Sequence, residues 1–243
     1  MRALAFRKIS VLNANGTADP GSYIAAGDWC SIGGKTLGGL FSVTYPTRGG
    51  GKTRWVRSLS GFLCNQNAYP ALSYPAKGYE RATIKSSGCG VCACVNAIGA
   101  VTGKQVSVLE LRNLSIACGA RVPGGTNMRT LIAQVCSRYG MRYTTTSSVQ
   151  LLLAHLKTGG AAICNVAGRG MFSTGGHYMT VLGLLDGKLC IADPGIYSGK
   201  FSRGARRQRV SVSGDLIFAA PETLDADCIG RSPRYYLLEK RNE

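Results

Sequence analysis

Cys89 stands between two glycines in Ser86-Ser87-Gly88-Cys89-Gly90, where an apolar helical run begins. A thiol attacks as thiolate, and its ordinary pKa of about 8.5 leaves little thiolate at neutral pH. A helix N-terminus helps, through free amide donors and partial positive charge. The flanking glycines let a substrate backbone come close to the sulfur. The chain has two histidines. His177, in Gly175-Gly176-His177-Tyr178-Met179, opens a strand-like run. It is the expected imidazole partner, and later the proton donor to a leaving amine. His155 lies in Leu151-Leu152-Leu153-Ala154-His155-Leu156, where a packed helix histidine is expected. A third group must orient the imidazole. Asp193 fits by chain order and by its place at a strand end before Pro194.

This constellation sets a condition on the hairpin that carries it. A strict two-residue turn at Asp186-Gly187 puts Asp193 opposite Thr180 and points His177 to the other sheet face. A three-residue loop or a β-bulge puts Asp193 opposite Met179 instead. His177 is then its diagonal neighbour on the same face.

The elements that must position these groups follow from periodicity. Val91, Cys94, Val95, Ile98 and Val101 recur at helical spacing, closed by Gly103. Ser107-Val108-Leu109-Glu110 has the form of a capping box and opens a helix through Cys118. Met128, Leu131, Ile132, Val135, Cys136 and Tyr139 make an amphipathic stripe, with Gly140 placed to cap it. A further helix runs from about Ser148 to Gly159-Gly160. Strands are expected at 161–166, 177–185, 188–193, 210–218 and 235–238. Helices followed by an antiparallel sheet give an α+β class.

Residues 1–60 have a different texture. Short β-like runs at 6–12, 27–32, 40–45 and 54–59 are separated by glycine clusters such as Gly49-Gly50-Gly51. They predict a small β-barrel ahead of a catalytic domain at 61–243. The alternative is an extension that packs on the enzyme. The spacing Leu12-Asn13…Pro20-Gly21-Ser22-Tyr23, ending in Gly51-Lys52-Thr53-Arg54-Trp55-Val56, resembles bacterial Src-homology-three-like domains. That resemblance implies peptidoglycan binding.

Ser86-Ser87-Gly88-Cys89-Gly90, Thr102-Gly103-Lys104-Gln105-Val106, Ser173-Thr174-Gly175-Gly176-His177-Tyr178 and Ile191-Ala192-Asp193-Pro194 resemble papain-fold cysteine peptidases of the bacteriocin-leader-peptidase-like branch. The resemblance spans about residues 61–200. It implies a papain-like peptidase with a Cys89–His177–Asp193 triad. It also implies an upstream glutamine in the oxyanion hole, for which Cys64-Asn65-Gln66-Asn67 offers Gln66. Where the family continues Gly-Pro-Thr after the nucleophile, this chain has Gly90-Val91-Cys92. Members with a glycine-rich histidine motif and an appended wall-binding barrel often cut peptidoglycan peptides, including in phage lysins.

Composition narrows the setting. Net charge is +17, from 29 basic and 12 acidic residues. It favours a polyanionic partner: nucleic acid, anionic lipid or anionic cell wall. The densest cluster, Lys200 to Arg209, has only Tyr197 and Phe201 nearby for base stacking, so nucleic acid is not the expected partner. Bacterial peptidoglycan with its anionic polymers is, together with virion proteins if the chain is carried in a phage particle. No apolar run reaches the roughly 18 residues of a membrane span, and the opening stretch is too short for a signal peptide. The expected location is the host bacterial cytoplasm before lysis, or a virion, with action at the wall. Of ten cysteines, Cys94, Cys136, Cys164 and Cys190 read as small buried hydrophobes in a reducing compartment. No paired-cysteine zinc pattern is present, so no metal or other cofactor is expected. The competing classes are a peptidase for a protein substrate, such as a Gly-Gly leader, and a non-catalytic virion or wall-binding protein that keeps the fold.

Overall fold

The computed structural model describes residues 1–241 of the 243-residue chain. Its first part is a six-stranded sheet, with strands β1 (Arg2–Leu4), β2 (Ile9–Leu12), β3 (Ala18–Ile24), β4 (Trp29–Lys35), β5 (Phe41–Thr47) and β6 (Gly50–Val56), in the order β1-β4-β5-β6-β2-β3. β3 is not expected from the sequence, because Pro20-Gly21 falls inside it. It lies at the sheet edge, where a residue without an N–H is tolerated. The expected 54–59 strand begins earlier instead, with Gly50 and Gly51 paired across a tight hairpin to Thr47 and Pro46.

This sheet does not hang free of the rest. One buried cluster joins Ile24 and Val43 to Val91, Ile98 and Leu131. The contacts are close. A Cβ built on Gly99 would meet the Leu4 Cβ at 2.8 Å. Trp29 Nε1 donates to Ala100 O at 3.1 Å, and Phe41 stacks on Phe218 with centroids 6.2 Å apart.

Beyond it come α1 (Ile84–Ser87), α2 (Cys89–Thr102), α3 (Val108–Ala117), the strand pair β7 (Arg121–Val122) and β8 (Gly125–Thr126), and α4 (Met128–Tyr139). α2 is buried from Gly90 to Val101. An apolar helix without a polar face must be a central one. It ends where expected, with left-handed Gly103 as its cap. Ser107 caps α3 through the Glu110 N–H at 3.1 Å. Glu110 does not complete the box, because its carboxylate accepts from Tyr139 at 2.7 Å instead. α4 runs from an Asn127 cap to left-handed Gly140, as its stripe predicts.

The second sheet is seven-stranded and antiparallel. It adds β9 (Met141–Thr146), then after α5 (Val149–Lys157) come β10 (Ala161–Val166), β11 (His177–Leu185) and β12 (Lys188–Ala192). After α6 (Gly204–Arg209) come β13 (Val210–Ser213) and β14 (Leu216–Ala219), and after α7 (Pro221–Cys228) comes β15 (Tyr235–Lys240). The order is β13-β14-β12-β11-β10-β15-β9. The single strand expected over 210–218 is two strands, broken at Gly214 with φ of 61°. A Cβ there would run into the Ser60 backbone. The helices and this sheet make the α+β class expected.

The hairpin condition is met by a bulge. Asp186 and Gly187 both have positive φ, 49° and 74°, and form a two-residue turn that pairs Leu185 with Lys188. The register holds through Gly183 and Cys190, then shifts, so that Val181 faces Ile191 and Thr180 faces Ala192. Gly183 has φ of 152°, and a Cβ on it would come 2.8 Å from the Met1 Cβ. The extra residue at the bulge returns His177 and Asp193 to one face.

Candidate active site

Cys89 is the first residue of α2, and Gly88 separates it from α1. The chain has no room for side chains on either flank. A Cβ on Gly88 would meet Ile84 O at 2.6 Å, and one on Gly90 would meet the Thr126 Cβ at 2.8 Å. The two elements carrying Cys89 and His177 are bolted together by the buried bond from Thr180 Oγ1 to Ala93 O, 2.8 Å long. Thr180 is on β11 and Ala93 is on α2, so the bond fixes the strand that begins at His177 against the helix that begins at Cys89. The loop before His177 is pinned from α7. The buried Asp227 carboxylate accepts the N–H groups of Met171 at 3.3 Å and Phe172 at 3.1 Å.

His177 Nε2 meets Asp193 Oδ1 at 2.7 Å, in a site where both residues are buried. An ionised carboxylate only accepts, so Nε2 carries a proton and Nδ1 is the nitrogen left for the sulfur. Asp193 Oδ1 also accepts the Gly195 N–H at 2.8 Å. Gly195 lies so close that a Cβ on it would stand 3.1 Å from His177 Cε1.

Electrostatics follow from this packing. Burial opposes the Cys89 thiolate. The hydrogen bond and charge of His177, with the Tyr178 and Gly90 N–H groups, outweigh it and hold the thiol below its ordinary value. Burial opposes the imidazolium too, but Asp193 and Cys89 outweigh it and raise His177 to about 9. Burial would raise Asp193, yet His177 and Lys200 hold it below the usual carboxylate range. Together these favour a thiolate–imidazolium pair, the reactive form of a thiol nucleophile. Cys92, one turn along α2, is the opposite case: contact with Cys64 and burial push its thiol well up.

Gln66 opens a short 3-10 turn, Gln66–Ala68. Its Nε2 donates to Lys85 O in α1 at 2.7 Å, which leaves one Nε2 hydrogen, and its Oε1 is buried without a partner. The segment is held from the nucleophile helix: Asn96 accepts the Cys64 N–H at 2.8 Å and donates to Cys64 O at 3.2 Å. The structure thus brings Cys89, His177 and Asp193 together, and ties Gln66 to the helix that leads into Cys89. His155 is elsewhere, its Nε2 bonded to Leu238 O at 2.9 Å.

Lys200 is a participant that sequence reasoning missed. Its Nζ stands 2.6 Å from Asp193 Oδ2, with the lysine side chain 7% exposed and the aspartate side chain 0%. The available signal was the carboxylate itself: a buried Asp193 with one oxygen on histidine needs a partner for the other. Among the described residues, no three His, Cys, Asp or Glu side chains gather as a metal site would require. No described helix is long and apolar enough to cross a membrane.

Comparison with protein-family models and with curated proteins finds no match. Among solved structures, the chain is similar to a protein described as a C39-like peptidase from Bacillus anthracis. Identity is 14% and the TM-score 0.45, over 64% of this chain and 90% of that one. It is also similar to the peptidase domain of Streptococcus ComA, a bifunctional ABC transporter involved in a quorum-sensing pathway. Identity there is 21% and the TM-score 0.36, over 54% of this chain and 90% of that one.

Proposed function

We propose that the protein is a cysteine peptidase that cuts the peptide part of bacterial peptidoglycan. The observation that carries the reading is Cys89 at a helix start, its thiol held below the ordinary value by His177, which is buried and whose Nε2 meets Asp193 at 2.7 Å. The Cys89 thiolate attacks the scissile carbonyl carbon, and a C–S bond forms. The oxyanion is taken by the Cys89 N–H, one of the unpaired amides of the first helical turn, and by the remaining Nε2 hydrogen of Gln66. The His177 imidazolium gives its Nδ1 proton to the leaving nitrogen as the C–N bond breaks. A thioester remains. Neutral His177 then takes a proton from water, whose oxygen attacks the thioester carbonyl; the C–S bond breaks, the acid product leaves, and the Cys89 thiolate is restored beside the protonated His177.

The substrate half of the proposal rests on charge. A net +17 on 243 residues concentrates the protein on anionic wall polymers. Action as a phage lysin, free or carried in a virion, fits that chemistry. Loss of turbidity of purified walls, compared between wild type and Cys89→Ala, tests it. Clearing by wild type alone is expected. Cleavage of soluble glycine-rich peptides with walls untouched would move the substrate to proteins.

A further inference from the structure

The carboxylate behind the histidine is shared between two cations. Asp193 Oδ1 takes His177 and the Gly195 N–H, while Oδ2 takes the Lys200 ammonium at 2.6 Å. Lys200 is held in place by its surroundings. Its Nζ lies 3.4 Å from Gly195 O and 5.5 Å from the Phe201 ring centroid, and its own carbonyl accepts Arg206 Nη1 at 3.2 Å. A lysine side chain loses much rotamer freedom when buried, and its charge must be paired to be buried at all. Here the pairing is spent on the one carboxylate that touches His177.

We propose that Lys200 is a positioning residue of the thiol site, which fixes the Asp193 carboxylate on His177 and offsets part of its negative charge. This deepens the peptidase reading and rests on it for the reaction, though not for the ionisations. Without Lys200, Asp193 would face His177 with its charge undiluted and one oxygen unpartnered. A lost positive charge raises the pKa of every acid near it. Cys89, His177 and Asp193 should all therefore titrate at higher pH, and the working range of the thiolate–imidazolium pair should move up as a block.

The other titratable groups around this cluster do not compete. Cys92 and Cys164 thiols and the Tyr74 and Tyr178 hydroxyls are pushed up first by burial or by neighbouring sulfur, and stay neutral. Arg206, Arg207 and Asp215 lie around the Lys200 segment, and Arg231 acts on Tyr178.

The test uses the full chain with Lys200→Met, Lys200→Gln and Lys200→Arg. Two pH profiles are read: alkylation of Cys89 by iodoacetamide, and hydrolysis of purified walls. Met and Gln should move the Cys89 ionisation and the alkaline limb of hydrolysis upward by about one pH unit. Gln keeps a donor, so it should retain more turnover than Met while showing the same shift. Arg keeps the charge and should restore the wild-type limbs. Unshifted limbs in folded Met and Gln variants would overturn the proposal. So would failure of both uncharged variants to fold beside a folded, unshifted Arg variant, which would leave Lys200 as a stabilising contact alone. Alkylation needs no substrate. Absent hydrolysis in wild type would therefore count against the peptidase reading and leave this test standing.

Discussion

Replacing His177 with alanine removes the group that ionises Cys89. The thiol keeps its burial, which opposes the thiolate, and loses the His177 contributions that do most to oppose that burial, keeping only the Tyr178 and Gly90 N–H groups. Its pKa then rises toward the ordinary value of about 8.5. At 8.5 the thiolate fraction is roughly 0.3% at pH 6 and roughly 24% at pH 8, a rise of about 75-fold. Burial brings the rise closer to 100-fold, the limit of about tenfold per pH unit. Wild type should climb less over the same interval, because its thiol is held below the ordinary value and ionises at lower pH. Alkylation with iodoacetamide, followed by mass spectrometry of the Cys89 peptide, reads this directly and is blind to the other nine cysteines. The ratio of rates at two pH values also cancels the lower nucleophilicity of a low-pKa thiolate. At higher pH the two reactions should part. His177 is raised to about 9, so imidazolium is fully present below about 6.5 and is lost as pH rises through about 9. Hydrolysis then falls for want of a proton on the leaving amine, while alkylation continues. A wild-type alkylation profile as steep as that of His177→Ala would refute the ion pair.

Three further outcomes are expected. Gly195→Ala places a Cβ about 3.1 Å from His177 Cε1, so kcat should drop on the order of 10- to 100-fold with little change in melting temperature; wild-type kcat would contradict the tight fit of the imidazole. Leu4→Ala removes a side chain that is 2% exposed and packs on Gly99 of the nucleophile helix. It should cost about 2–5 kcal/mol and lower Tm by roughly 4–20 °C in calorimetry, whereas an unchanged Tm would show that the first sheet is not part of the enzyme's core. Retention on purified walls should fall steeply between 0.1 and 0.5 M salt, since the screening length is about 10 Å at 0.1 M and shorter above it; salt-independent pelleting would reject charge as the attraction.

The thiol, the imidazole and the carboxylate were legible because each sits on a local signal. Cys89 follows a glycine at the start of an apolar helical run, His177 opens a strand, and Asp193 directly follows the end of the next one. Helix α4 was legible for the same reason, with its stripe and the Gly140 cap agreeing. The hairpin showed that a correction was needed but not where. Its place at Leu182–Gly183 depends on Met1 coming against Gly183 from far along the chain, which no local pattern records. Lys200 was hidden by its neighbours. It begins the densest basic cluster of the chain, and its counter-charge becomes visible only when the chain after Asp193 folds back. Two elements went unread beside prolines: Pro20 masked an edge strand, while Pro221 opens α7 at a position that proline favours. Residues 1–60 look separate along the chain, yet Leu4, Trp29 and Phe41 pack on the body that holds the site.

Mass spectrometry of the muropeptides released from purified peptidoglycan is the most direct measurement. Wild type should produce fragments cut at one amide of the peptide portion, and Cys89→Ala, folded to the same Tm, should produce none. Identical fragments from both proteins, or intact peptides after wild-type digestion, would contradict a thiol peptidase acting on the wall through Cys89.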